Sequence, residues 1–336
     1  MDSSPLIGVV TVTYNSGTVL RDFIESLFKQ SYRHFILYVV DNASSDDTLA
    51  LLAQYSDGRL VIIGNSTNVG VAEGNNIGIR AALSDGCTSV LLINNDTVFG
   101  PELIYTLHEG LRKRQCHMIV PKILYFDDPQ KIWCAGGAFS ILRGRPKHLG
   151  FNEKDDGRFD QPREVESSPT CCMLITRDIF ERIGLMDAKY FVYFDDADFC
   201  LRAHRIGIKL VYSPETKVFH KVSSLIGHRS AMSVRYVTRN HVYFVLKHFR
   251  FVQVLYYLPI CQAHIIVRCL LAQNVAKALV IAEKAFWEGI SVFWSTQKSD
   301  SVPPSPDVQL EVAAQNTHSY SNNTQSQEGV KSKMVY

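Results

Sequence analysis

The chain has 336 residues, 46% of them hydrophobic and 20% charged, and a formal net charge of +2. That is enough for one large α/β core with a smaller appendage, and two compact units are the most it supports. So even a balance of charge offers no basic stripe, and no nucleic-acid partner is expected.

Residues Met1–Pro5 lack a basic segment followed by an apolar one, so the protein is expected to start, and stay, in the cytoplasm. The Asn322–Asn323–Thr324 sequon would then remain unmodified. Ile7–Thr13 is a short β-branched run closed by the turn Tyr14–Gly17, and Val19–Phe28 spaces its apolar residues at helical intervals. Strand, turn and helix then repeat: strand Phe35–Val40, polar turn Asp41–Asp46, helix Thr48–Tyr55, strand Leu60–Ile63. Continuous apolar strands alternating with amphipathic helices predict a parallel sheet covered on both faces. Such sheets bind ligands at the carboxyl ends of their strands, which is where Asn15, Asp41 and Asn68 fall.

Asn65–Ile79 is rich in small residues but has neither G-x-G-x-x-G nor GK[ST] spacing. A dinucleotide-binding dehydrogenase and a Walker NTPase are therefore not expected. The small residues would let a ligand or a helix approach the backbone closely. Ser89–Ile93 reads as a buried strand that ends in Asn94–Asn95–Asp96–Thr97. A carboxylate there either holds a hard cation such as Mg²⁺ or Mn²⁺ or caps the helix opened by Pro101–Glu102.

The ordered series Val10–Asn15, Val40–Asp46, Asn68–Gly70, Asn75–Gly78 and Leu92–Asp96 resembles the family 2 glycosyltransferases of GT-A fold. Within them it is most similar to the rhamnosyltransferase-like branch that builds cell-surface polysaccharide, over roughly residues 6–250. The resemblance implies a mostly parallel, Rossmann-like α/β sheet flanked by helices, with a helical C-terminal extension. It also implies a nucleotide-sugar donor and a divalent metal, Mg²⁺ or Mn²⁺. By similarity, Thr13, Asn15, Asp41, Asn68, Asn75, Asn94, Asn95 and Asp96 line the donor, with Asp41 accepting the imide N–H of a uracil or thymine. Asp96 would ligate the metal. The family often carries Asp-x-Asp here; Asn94 in the first place keeps an oxygen and loses a charge.

Residues 131–139 and 143–166 read as irregular connections, where specificity usually lies. Pro169–Arg177 reads as a strand and Asp178–Ile183 as a short helix ended by Gly184. The eight cysteines, among them the vicinal Cys171–Cys172, show no C-x-x-C pairing, which fits reduced thiols. Next comes Tyr193–Arg202, with Asp195, Asp196 and Asp198 inside four positions. Carboxylates so crowded either serve a cation, or supply a base of raised pKa, or form an exposed helix start. By the family resemblance Asp196 is the base that activates an acceptor hydroxyl, with inversion at the anomeric carbon, and Asp195 and Asp198 contact the acceptor. The same resemblance gives His220, at the end of a strand interrupted by Pro214, to the metal. Lys221, His228, Arg229 and Arg239 are cations near this stretch that either help or form a solvated face.

Val234–Phe249 reads as an amphipathic helix, and Phe251–Ile260 is apolar but too short, and too interrupted by Pro259, to span a bilayer. These helices are expected to pack on the catalytic domain or lie on the inner face of the cell membrane. The resulting division is a catalytic domain over 1–230 (donor half 6–100, acceptor half 101–230), C-terminal helices over 231–294 and a disordered tail over 295–336. The acceptor implied is a glycan or lipid-linked saccharide; nothing in the sequence sets an oligomeric state. A nucleotidyltransferase would want a Gly-rich basic loop after the first strand, which Thr13–Gly17 lacks. A non-catalytic nucleotide-sugar-binding relative stays open because of Asn94.

Overall fold

A computed structural model describes residues 4–140, 142–222, 230–270 and 274–300. His228, Arg229, the sequon and the tail from 301 onward lie outside the described residues. The first half alternates strand and helix as its apolar periodicity dictates: β1 (Ile7–Thr13), α1 (Leu20–Phe28), β2 (Phe35–Asp41), α2 (Thr48–Leu52), β3 (Leu60–Gly64), α3 (Gly70–Ser84) and β4 (Ser89–Ile93). Then follow β5 (Thr97–Phe99), α4 (Leu103–Arg114), β6 (Met118–Tyr125), β7 (Ile132–Cys134), β8 (Gly137–Ser140), β9 (Arg145–His148), β10 (Arg163–Val165), β11 (Cys172–Thr176) and α5 (Arg177–Ile183). After a short 3₁₀ turn at Ala188–Tyr190 come α6 (Asp195–Arg205), β12 (Leu210–His220), α7 (Ala231–His248), α8 (Phe251–Leu270) and α9 (Val275–Asp300). The last helix passes Ser295, so residues 295–300 are helical where the sequence suggested the start of a disordered tail.

The main sheet runs in the order β3-β2-β1-β4-β11-β6-β12-β10. Its first four strands are parallel, as expected. Beyond them β11 lies antiparallel to both β4 and β6, while β6 and β12 are again parallel. The parallel half therefore ends at β4, and one reversed strand joins it to a second parallel pair. Alternate residues of each strand face opposite sides: Val10, Tyr38, Leu92 and Val120 meet one set of helices, and Val9, Leu37, Leu91 and Ile119 the other. Full burial of such a side chain contributes about 1.5–3 kcal/mol each, and both faces are filled.

The glycines of α3 explain how closely it lies on β1. A Cβ on Gly74 would stand 2.8 Å from Val12 Cγ1, and one on Gly78 would collide with Val10. The small residues of this stretch thus serve helix-on-strand packing.

Two segments differ from the expectation. Residues 131–139 and 143–166 contain the short strands β7 to β10, and β12 runs unbroken through Pro214, with a register shift between Ser213 and Lys217. α7 shares a core with the stretch 190–201, in which Tyr243 and Phe244 meet Tyr190, Ala197 and Leu201. α9 is tied to α7 through Glu288, which pairs with Arg235 at 3.0 Å and Arg239 at 3.1 Å.

Candidate active site

Parallel register brings the ends of β1 and β2 level, Thr13 opposite Asp41. Both are buried, and the polar ends of the strands satisfy one another. Thr13 Oγ1 donates to Asp41 Oδ1 at 2.8 Å, Ser44 Oγ to the same oxygen at 2.6 Å, and Ser44 N–H to Oδ2 at 2.9 Å. Asn15, in the left-handed region at φ 51°, is spent on the same turn: its Oδ1 accepts from Ser45 N–H at 2.8 Å. Asn68 Oδ1 accepts from Gly70 N–H at 2.9 Å and so caps α3. Asn95 donates to Val12 O at 2.5 Å and to Ser16 Oγ at 3.2 Å, fastening the end of β4 to that of β1. Asn94 N–H bonds Cys171 O at 3.0 Å, and its carbonyl accepts from Thr97 Oγ1 at 2.7 Å. Asn75 stands apart from this edge: it is buried in α3 against Met186, its Nδ2 3.8 Å from the thioether sulfur. That contact puts it in the seam between α3 and the segment after α5.

Asp96 follows β4, and β5 pairs antiparallel with the end of β12 so that His220 lies opposite Thr97. Asp96 Oδ1 and His220 Nε2 come to 3.2 Å. Trp133 closes one side of the imidazole, edge-on at 4.6 Å between ring centres, and Cys171 lies within hydrogen-bonding range. The two side chains face one another as a carboxylate–imidazole pair, and an oxygen and a nitrogen ligand so placed are the groups that would hold a divalent cation. Among the described residues no group of three or more His, Cys, Asp or Glu side chains gathers as a metal cluster. The remaining ligands would be the donor's diphosphate and water, the usual arrangement for Mg²⁺.

The three aspartates at the start of α6 part company. Two residues along a helix is a rotation of about 200°, so Asp196 and Asp198 point to opposite sides. Asp198 is 0% exposed. Arg202 Nε meets it at 2.8 Å, Lys247 Nζ at 2.6 Å, His248 Nε2 at 2.7 Å and Tyr190 Oη at 3.3 Å. Burial alone would raise its carboxyl, but the His248 bond and the charges of Lys247 and Arg202 outweigh it and hold the pKa far below the usual range. Its expected role at the acceptor is therefore corrected: Asp198 anchors α7 to α6 and has no face left for a substrate hydroxyl.

Asp195 and Asp196 behave in the opposite way. Burial raises both, and the charge of Asp196 pushes Asp195 further; Asp196 itself rises to about 6. Asp195 is 4% exposed, whereas Asp196 keeps part of its surface open and accepts Ala197 N–H at 2.7 Å. An ionised carboxylate beside a more reluctant one is how a base is set near neutrality.

The turn that presents this pair is strained. Phe191, Tyr193 and Phe194 have φ of 62°, 67° and 67°, a region that costs on the order of 1–3 kcal/mol for each such residue. Val192 N–H bonds Tyr190 O at 2.7 Å, closing a γ-turn of the unfavourable hand at Phe191. The carbonyl of Phe191 in turn accepts Val71 N–H at 2.6 Å at the start of α3. Gly70, at φ +85°, has no room for a Cβ, which would lie 2.5 Å from that oxygen.

The sequence reading missed what holds this turn, the inner face of α7. Arg239 Nη1 donates to Lys189 O at 2.7 Å, and Tyr243 Oη and Lys247 Nζ reach Asp187 Oδ2 at 2.8 and 2.7 Å. Asn240 Nδ2 faces three carbonyls, Tyr190 O, Val192 O and Tyr193 O, at 2.7, 2.7 and 2.9 Å. The signal was the polar run Arg239–Asn240–His241, which is buried within an amphipathic helix.

A parallel half-sheet with acidic residues along its carboxyl edge, joined through a reversed strand to a helix that opens on paired carboxylates, is the architecture of the GT-A glycosyltransferases. The crystal structure of GalNAc-T7 with UDP, GalNAc and Mn²⁺ shares this fold, with a TM-score of 0.62 over 89% of this chain and 58% of that one at 17% identity. The chain belongs to glycosyl transferase family 2, whose family model matches residues 8–184. It is similar to the dTDP-rhamnosyl transferase RfbF of Shigella flexneri, 26% identical over 225 residues, 64% of this chain and 69% of that protein. It is also similar to the N-acetylglucosaminyl-diphospho-decaprenol L-rhamnosyltransferase of Mycobacterium tuberculosis, 25% identical over 232 residues, 64% of this chain and 76% of that one. These relatives put it on the rhamnosyltransferase-like branch. The chain spans 27% and 63% of the length of two further curated relatives.

Proposed function

We propose that this protein is an inverting transferase that moves a sugar from a nucleotide-diphospho-sugar to a hydroxyl of a glycan or lipid-linked acceptor in cell-surface polysaccharide synthesis. The observation that carries the reading is the split of the acidic residues into two sets. Asp41 and the Asp96–His220 pair lie along the carboxyl edge of the sheet; Asp195 and Asp196, held near neutral pKa, open α6. A donor site and an acceptor site need such a division.

On the donor side, Asp41 Oδ2 accepts one bond among the described residues, from Ser44 N–H, which leaves it a lone pair for the imide N–H of uracil or thymine. Asp96 and His220 would hold the cation, Mg²⁺ or Mn²⁺, which when bound neutralises charge on the departing diphosphate. On the acceptor side, the hydroxyl oxygen attacks the anomeric carbon from the face opposite the diphosphate. The new C–O bond forms as the C–O bond to the diphosphate breaks, and the hydroxyl proton passes to Asp196. Configuration inverts and no covalent sugar–enzyme intermediate is needed. Asp195 orients the acceptor.

The relative from M. tuberculosis is named for a diphospho-decaprenol acceptor, which favours a lipid-linked substrate here. No described helix is long and apolar enough to cross a membrane. α8 and α9 nevertheless expose Phe251, Val252, Leu255, Trp287 and Trp294, a face suited to resting on the inner surface of a membrane. The donor is dTDP-rhamnose, as the name of RfbF suggests, or a UDP-sugar.

Thermal-shift screening of dTDP-, UDP- and GDP-sugars with Mn²⁺ or Mg²⁺ identifies the donor, because a ligand that binds the folded state raises its apparent stability. With that donor, Asp196→Asn is expected to lower transfer by about 10²–10⁴-fold while donor binding persists. Undiminished transfer removes the base assignment. Absence of transfer by the wild type with every nucleotide sugar favours a non-catalytic binding protein.

A further inference from the structure

We infer that Asn240 is a positioning residue for the carboxylates that open α6, acting through the backbone of residues 190–194; this rests on the acceptor-side role proposed above for Asp195 and Asp196. Asn240 is 0% exposed. The orientation of its amide is fixed because Oδ1 accepts from Arg239 Nη1 at 2.6 Å. Nδ2 must then face the turn, where two protons are shared among the carbonyls of Tyr190, Val192 and Tyr193. Those three carbonyls converge on one nitrogen across a stretch in which Phe191 and Tyr193 sit at positive φ.

The convergence determines where the carboxylates go. Phe194 O accepts Asp198 N–H at 2.9 Å as the first bond of α6, so the left-handed step at Tyr193–Phe194 sets the direction in which the helix leaves. Asp195 and Asp196 follow at once. The neighbouring rings are keyed to α7 as well: Phe191 stacks on Tyr236 at 4.9 Å and Phe194 on His241 at 5.2 Å. These stacks limit how far the rings move and leave the carbonyls to Asn240. Without a donor there, the buried carbonyl of Val192 loses its amide partner, Tyr190 O keeps only the bond from Val192 N–H, and the strained turn loses a support. A shift of about 1 Å in a positioned group costs about 100-fold in rate.

The test compares wild type with Asn240→Asp, which keeps shape and size but offers no donor to the carbonyls, and with Val242→Ala, a packing change on the same helix. Asn240→Asp is expected to lower kcat about 100-fold with KM for the nucleotide sugar unchanged. Amide hydrogen exchange over residues 190–198 should rise, while exchange at β1 and β2 stays as in wild type. Val242→Ala should lower stability without the kcat effect. Should Asn240→Asp fail to fold, Asn240→Ser, which keeps one donor, is measured in its place and should fall between the two. Unchanged kcat, or a loss shared equally by Val242→Ala, overturns the proposal. Were the wild type itself to show no transfer, the functional reading would be the one to fall, and unchanged exchange over 190–198 would still overturn the role of Asn240.

Discussion

The donor edge and the acceptor turn both present aspartates, yet they are held in opposite ways. Asp41 is positioned by its own sheet: strand register puts Thr13 beside it, and the next turn supplies Ser44. Asp195 and Asp196 are positioned from outside, by a strained turn that depends on a helix some 45 residues later in the chain. The sheet edge is stable because its bonds come with the fold. The turn is stable only while α7 is docked, which makes the acceptor side the more fragile half.

The largest test of this contrast is Asp198→Asn. It leaves Arg202 without its buried counter-charge and Lys247 with Asp187 alone, and breaking such a buried pair typically costs about 3–5 kcal/mol. Chemical denaturation should show that loss. It should also show less acid sensitivity than wild type, because a carboxyl held at a depressed pKa stabilises fully above about pH 4 and loses that contribution as pH falls. If Asp198→Asn unfolds no more readily than wild type, α7 is not held through it, and the two halves are alike.

A second test uses the opposite pKa shift. Asp196 accepts a proton only when ionised, and burial lifts its carboxyl to about 6. Turnover at saturating donor is therefore expected to fall about tenfold per pH unit below that value. An acid limb near pH 4 in the kcat profile would place the base elsewhere.

The smallest effect belongs to the donor edge. Thr13→Val removes one of the three bonds to Asp41 and is expected to weaken nucleotide binding by about 1 kcal/mol, roughly fivefold. Titration calorimetry with the free nucleotide reads it directly, and kcat should not move. A loss of kcat equal to that of the acceptor-side variants would erase the distinction between the two regions.

Much of the donor half was legible because its partners are local. Strands β1 and β4 have the bounds that their apolar runs suggested, and the residues that follow them do gather at one edge. The acceptor half was less so. β6 went unread because Pro121 and Lys122 sit in its middle, residues that argue against an interior strand. Lys122 is nevertheless fully buried, its ammonium 2.6 Å from Asp155 and paired also with Asp160, more than 30 residues away. Asp198 looked like a third member of the acidic cluster because linear spacing hides the rotation of the helix. The grip of α7 was only half legible: the polar run Arg239–Asn240–His241 marks that something polar is bound, but the carbonyl oxygens that Asn240 meets leave no mark on the pattern of side chains.

The family match ends at residue 184, eleven residues short of the first carboxylate of α6. The stretch matched by the family model and the stretch that packs together are therefore different lengths of chain. A fragment cut at 184 would lose His220 as well as the strained turn, and one cut at 230 would keep both yet lack the helix against which that turn is moulded. The unit that packs together therefore extends past the family match, through α7 and the Glu288 contact of α9.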